Sequence, residues 1–178
     1  MPEPLPAPIA TALEAAGHRD GIHGHAHWRR VAENGLFVAQ REGADPHAVL
    51  LFAILHDCRR ENDNHDPEHG PRAAALAEAM GHEPLGIDAD TLATLAHAMR
   101  HHDRGQVSDH PLVGTCWDAD RLDLPRVGIT PNPVLMSTAS GRDPEVIGRS
   151  SDDWREVPTW ETLAAQVNAA AQAARGGP

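Results

Sequence analysis

His56-Asp57 closes the most apolar run in the chain, Ala48-Val-Leu-Leu-Phe-Ala-Ile-Leu55, so a buried helix would end on an imidazole and a carboxylate side by side. Such a pair offers a nitrogen and an oxygen donor, half of what a divalent cation needs. A carboxylate at the end of so apolar a helix costs free energy unless a cation or hydrogen bonds satisfy it. His27, in His-Trp-Arg-Arg-Val, and Asp120, in Cys-Trp-Asp-Ala-Asp-Arg-Leu-Asp, sit on two other expected helices and can supply the missing donors. The bland alternative is chance: in a chain with 13 histidines, a single His-Asp pair is weak evidence by itself.

The elements that must position these residues read as helices throughout. After the prolines that end at Pro8, Ile9 to Ala16 forms a short helix stopped by Gly17. Gly21-Ile-His-Gly24 is a loop. From His25 to about Arg41, apolar residues recur at three- and four-residue steps up to Gly43, which puts His27 in the first turns of a helix. Asp45 caps and Pro46 opens the central helix, which runs to about Cys58. Arg59 to His69 has little to bury and reads as a loop over the ligand end. Pro71 to Met80 is an Ala-rich helix ended by Gly81. A helix capped by Asp88 or Asp90 continues to His102, and Pro111 to about Leu122 carries Asp118 and Asp120. Residues 125–158 are dense in Pro, Gly, Ser and Asp and are expected to be irregular. A last helix from Thr159 to Ala174, capped by Thr159, precedes a Gly-Gly-Pro end expected to fray.

Composition agrees with an all-α fold. Hydrophobic residues make up 40% of the chain, yet aromatics only 3% with no Tyr, so the core is built from Ala, Leu, Val and Ile packed between helices. At 178 residues the chain fits one domain without disulfides. Cys58 and Cys116 have no zinc-knuckle spacing and read as reduced, buried thiols. The net charge of −11 argues against bulk nucleic-acid binding. All 15 basic residues are Arg, which removes lysine Schiff-base and P-loop chemistry. With no long apolar stretch and no signal-peptide pattern, a soluble, cytoplasmic protein with no membrane partner is expected.

Three segments, taken together, resemble the HD superfamily of metal-dependent phosphohydrolases. His27-Trp-Arg-Arg30-Val31 is similar to that family's first-ligand motif, Leu55-His56-Asp57 to its doublet, and Ala119-Asp120-Arg121-Leu122-Asp123 to its distal Asp motif. The resemblance implies a single HD-type helical domain over residues 1–178, with a metal-binding core over about 23–130 and a C-terminal extension over 131–178. It implies the metal ligands His27, His56, Asp57 and Asp120, with Asp118 as the alternative for the last place. Thiolate-free nitrogen and oxygen donors suit one or two ions of Mn, Fe, Co, Ni, Zn or Mg. His69 and either His101 or His102 fall where some relatives bind a second metal or the substrate's phosphate. Adjacent helical residues point about 100° apart, and His102 is favoured over His101.

The resemblance implies hydrolysis of a phosphate ester, on a small phosphomonoester or nucleotide, by a metal-activated water. Asp57 or a loop carboxylate would steer that water. Arg60, three residues beyond Asp57, is the candidate to grip phosphate oxygens, with His69 and His102 balancing charge. Arg59, Arg72 and Arg100 are weaker candidates, and Trp28 and Trp117 belong either to a pocket wall or to the core. His18, His23, His25, His47, His65, His82, His97 and His110 are unassigned. Two other functions stay open: a di-iron oxygenase on the same ligands, and a non-catalytic metal or nucleotide binder. A homo-oligomer is also possible.

Overall fold

A computed structural model describes residues 4–153 and 157–175. Among them the chain forms ten α-helices and no strand. They are α1 (Ala7–Ala16), α2 (His25–Glu42), α3 (Pro46–Leu55), α4 (His69–Met80), α5 (His82–Leu85), α6 (Ala89–His101), α7 (Pro111–Arg121), α8 (Ala139–Arg142), α9 (Pro144–Asp153) and α10 (Trp160–Arg175). Two 3-10 turns, Leu124–Val127 and Pro133–Leu135, lie between α7 and α8. No helix among the described residues is long and apolar enough to cross a membrane.

The most apolar helix is the central one. Ala48 through Leu55 of α3 are all fully buried, and α1, α2, α4, α6, α7 and α10 pack around them. Truncating any of these large side chains to Ala would cost about 2–5 kcal/mol. Asp45 starts α3 by accepting from the His47 N–H at 2.9 Å, and Pro46 is preset for the first turn. Gly43, at φ +74°, ends α2 in the left-handed region that glycine enters without strain.

Close approach between helices depends on small residues. A Cβ at Gly35 of α2 would lie 2.5 Å from Val49 of α3 and 3.1 Å from Ala119 of α7, so three helices meet there almost backbone to backbone. At Gly70 of α4 a Cβ would lie 2.5 Å from the Met99 carbonyl of α6. Trp117 of α7 donates its indole N–H to the Ala98 carbonyl at 2.9 Å, tying α7 to α6.

Several boundaries differ from expectation. The last helical bond of α3 is from His56 N to Phe52 O, after which Cys58 N bonds Leu55 O and Arg60 N bonds Asp57 O, the i→i+3 pattern of a tightened turn that carries His56 and Asp57. Helix α4 begins at His69, two residues before Pro71, so His69 stands in a first turn and not in a loop. The short α5 follows Gly81 without a sequence signal of its own. Within 125–158 the structure forms α8, α9 and the two 3-10 turns where an irregular course was expected. Local caps explain this: Thr138 accepts from Gly141 N, Asp143 from Glu145 N and Asn132 from Val134 N, while Val146 and Ile147 find buried places. The fraying expected of Gly176-Gly177-Pro178 and the part of the irregular stretch at 154–156 lie outside the described residues.

Candidate metal centre

α2, α3 and α7 bring their ends to one point. His27, the third residue past the α2 cap, His56 and Asp57, on the turn after α3, and Asp120, near the end of α7, aim donor atoms at each other. His27 Nε2 lies 3.2 Å from His56 Nε2, 3.5 Å from Asp57 Oδ2 and 3.4 Å from Asp120 Oδ1. His56 Nε2 lies 3.8 Å from each of the same two carboxylate oxygens. Donors bonded to one cation at ~2.0–2.2 Å are spaced ~3–3.5 Å from their neighbours, so His27 Nε2 stands at such a spacing from the other three, with His56 slightly wider of the carboxylates. His27, His56 and Asp57 are buried, whereas the Asp120 side chain keeps 21% of its surface and marks the open side.

The histidines are preset as ligands by what holds their other nitrogen. His56 Nδ1–H donates to the carbonyls of Phe52 and Ala53, His102 Nδ1–H to Met99 O at 2.7 Å, and His69 Nδ1–H to Asp66 O. A carbonyl only accepts, so each of these rings keeps a proton on Nδ1 and turns Nε2 to the centre, where it can take a metal ion or a second proton. His27 Nδ1 is instead held by the Asp123 carboxylate at 2.7 Å, and Arg30 clasps Asp123 from behind at 2.6 Å. Two neutral rings facing each other through bare Nε2 atoms repel unless a positive charge lies between them. Both the His27–His56 pair, at 3.2 Å, and the His69–His102 pair, at 2.9 Å, face each other through Nε2 and so need a proton or a cation between them. The donor set therefore fits a divalent cation.

Asp57 joins the two pairs. Its Oδ2 faces His27 and His56, while its Oδ1 lies 3.1 Å from His69 Nε2, 3.5 Å from His102 Nε2 and 3.1 Å from Arg60 Nε. A second, smaller group of donors thus stands on the far oxygen.

Charge at the centre is arranged around retained protons. Burial opposes a charge on His27, but Asp120, Asp123 and Asp57 outweigh it and raise the imidazole to about 10. Burial drives His56 down to about 3. Asp57, which burial alone would raise, is held well below the ordinary carboxylate range by His56, His102, His23 and His27, and Asp120 is lowered by His27, His56 and His102. His102 is raised in spite of burial, mainly by its contact with Asp57. Without a cation, the centre keeps a proton where the cation would bind.

The other sequence candidates are placed as follows. Asp118 points away: its carboxylate accepts from Ser137 N, Thr138 N and the Thr138 hydroxyl, and burial raises it. Asp120, not Asp118, faces His27. His102 faces Asp57, whereas the His101 ring lies tilted against His97, centroids 4.7 Å apart, away from the donors. Arg59 donates to Ala15 O, Arg72 pairs with Asp66 and Arg100 with Glu78, so none of the three reaches the centre. Trp28 and Trp117 are buried with their N–H groups bonded to His23 O and Ala98 O, which makes them packing residues. Burial raises Cys58 to about 12 and Cys116 well above the usual thiol range, leaving both protonated.

Three residues escaped the sequence reading. Asp123 was quoted only as the end of a motif, although an acid three residues past Asp120 at a helix end, with Arg30 three past His27, was a usable signal. His23, in the loop before α2, places Nδ1 2.9 Å from Asp57 Oδ2. Arg126, in the 3-10 turn after α7, lies 3.4 Å from His23 Nδ1. Arg126 had no periodicity to mark it, whereas His23 stands four residues before His27, a chelating spacing that the glycine loop at 21–24 argued against.

No protein-family model matches the sequence, and no curated protein matches it. Among solved structures, the predicted HD superfamily hydrolase from an uncultured Thermotogales bacterium superimposes with a TM-score of 0.59 at 24% sequence identity, over 95% of this chain and 91% of that one. The chain shares the fold of that predicted HD superfamily hydrolase, and its His/Asp cluster stands where α2, α3 and α7 meet.

Proposed function

We propose that this protein is a metal-dependent hydrolase of phosphate esters, acting on a small phosphomonoester or nucleotide. The observation that carries the reading is the convergence of His27 Nε2, His56 Nε2, Asp57 Oδ2 and Asp120 Oδ1, with an arginine already on the remaining oxygen of Asp57. The name of the solved relative supports hydrolysis in general. Bound there, a divalent cation supplies Lewis-acid polarisation of the phosphoryl oxygens and makes a nearby water more acidic.

The chain's own groups do the rest. His27, His56, Asp57 and Asp120 hold the ion, and Asp123 fixes the ring of His27 while Arg30 holds Asp123. Arg60 uses Nε on Asp57 and Nη1 on the Asn64 carbonyl, which leaves Nη2 to grip a phosphate oxygen. His69 and His102 stand beside Asp57 Oδ1, where their Nε2 atoms can meet charge that builds on the phosphate or the leaving oxygen. The partly exposed Asp120 faces the side from which water and substrate arrive.

A second reading rests on the group at Asp57 Oδ1: with His69 and His102 as further ligands, two irons could activate O₂. The test loads the purified protein with each candidate metal and measures phosphate release from phosphomonoesters and nucleotides alongside O₂ uptake. Phosphate release that disappears in Asp57→Asn supports the hydrolase. Substrate-dependent O₂ uptake with two irons and no phosphate release would replace it with the oxygenase.

A further inference from the structure

Arg126 is built like a side chain waiting for an anion. Its side chain is 7% exposed, Nε donates to the Ile22 carbonyl at 3.0 Å and Nη1 to the Asp123 carbonyl at 3.0 Å. Among the described residues Nη2 has one hydrogen-bonding neighbour, His23 Nδ1, at 3.4 Å. That nitrogen also lies 2.9 Å from Asp57 Oδ2, and one ring nitrogen cannot both donate to a carboxylate and accept from a guanidinium. The shorter, charge-assisted contact prevails: His23 Nδ1–H donates to Asp57, and the Nη2 N–H groups of Arg126 are left without an acceptor. Arg126 Nε also pairs with Asp123 Oδ2 at 3.6 Å, but this contact does not use Nη2 and is the longest of those on the Asp123 carboxylate. Asp123 already holds Arg30 through both of its oxygens, at 2.6 and 3.2 Å, and His27 at 2.7 Å.

Arg60 repeats the pattern on the other oxygen of Asp57. It contacts Oδ1 directly, and its Nη2 has no partner among the described residues. Arg126 reaches the Oδ2 side through His23. The two arginines come from different parts of the chain, one from the turn after α3 and the other from the 3-10 turn after α7.

We propose that Arg126 and Arg60 form a two-armed clamp over the metal centre, which holds the dianionic phosphate group of the substrate between two guanidiniums. The clamp rests on the phosphate-ester reading above and extends it: a terminal phosphate, with oxygens free for both arms, is preferred over a diester with fewer.

The test titrates inorganic phosphate into the metal-loaded full chain by calorimetry, for the wild type, Arg126→Ala, Arg60→Ala and the double variant, with metal content and thermal unfolding measured on each. Losing one charge-assisted arm is expected to weaken phosphate about 10- to 100-fold at unchanged metal content. The double variant should lose less than the product of the two single losses, because the arms share one anion. Unchanged phosphate affinity in Arg126→Ala, with metal in place, overturns the clamp alone. A metal-loaded wild type that binds no phosphate and releases none from any ester overturns the parent reading with it. If Arg126→Ala does not fold, Arg126→Lys decides: weakened phosphate at full metal content supports the clamp, whereas loss of metal or of fold makes Arg126 a brace between Ile22 and Asp123 and overturns it.

Discussion

The two sides of Asp57 are built from the same residue types and to opposite electrostatic effect. On Oδ2 stand three histidines, His23, His27 and His56, a second carboxylate, Asp120, and a third, Asp123, 2.7 Å behind His27. On Oδ1 stand two histidines and the guanidinium of Arg60, and the carboxylate behind them, Asp103, comes only to 4.0 Å from His69. The Oδ2 side is therefore anionic and suits a cation, while the Oδ1 side is balanced and suits either a weaker second cation or the substrate's phosphate. The difference lies less in the ligands than in what stands behind them: a carboxylate makes His27 a stronger donor than the backbone carbonyls that anchor His56, His69 and His102.

The comparison can be broken most completely at its shared member. Asp57→Ala removes an oxygen from both sides, and the purified variant is expected to carry no metal by elemental analysis; metal content equal to wild type would dissolve both groups at once. Asp120→Ala acts on one side only and should abolish tight binding, whereas His69→Ala should leave one equivalent of metal in place. Equal losses from these two variants would show the sides to be alike. Asp123→Asn keeps the shape but removes the charge behind His27, and metal affinity should fall about 10- to 100-fold, measured by competition with a chelator.

Protonation gives a finer probe. His56 titrates near 3 in the folded protein and at 6.5 when free, so between those values the unfolded chain binds the extra proton and stability is lost as pH falls. His27 titrates near 10, so between 6.5 and 10 the folded chain holds the extra proton and stability is lost as pH rises. Metal-free protein should accordingly have its highest Tm near pH 6.5, and loading with metal should remove the alkaline decline because the cation takes the place of the proton. An alkaline decline of equal size in the loaded protein would count against His27 as a ligand. The smallest expected effect is that of Gly70→Ala. Helix propensity favours Ala by about 1 kcal/mol, but the new Cβ would press on the Met99 carbonyl that anchors His102, for a net loss of about 1–3 kcal/mol in denaturant unfolding.

What the sequence made legible follows from where each signal lies. His27, His56, Asp57 and Asp120 could be read because each ends or begins a strongly patterned helix, and the Asp45 cap and Gly43 stop fixed the ends of α2 and α3 that position them. His69 was read as a loop residue because Asn, Asp and Glu precede it, yet the close packing allowed by Gly70 draws α4 forward to include it. Helices α8 and α9 were hidden because they are held by short side-chain caps and by two buried residues, Val146 and Ile147, too few to make a period. His23, four residues before His27 but in a glycine loop, and Arg126 were hard to place for a different reason: they reach the centre from turns, where side-chain direction is set by tertiary contacts and not by spacing.

Anomalous scattering from a metal-loaded crystal, collected on both sides of the metal's absorption edge, tests the central claim most directly. A peak bonded to His27 Nε2, His56 Nε2, Asp57 Oδ2 and Asp120 Oδ1 is the expected result. Strong anomalous signal elsewhere in the molecule, with these four atoms unbridged, would contradict it.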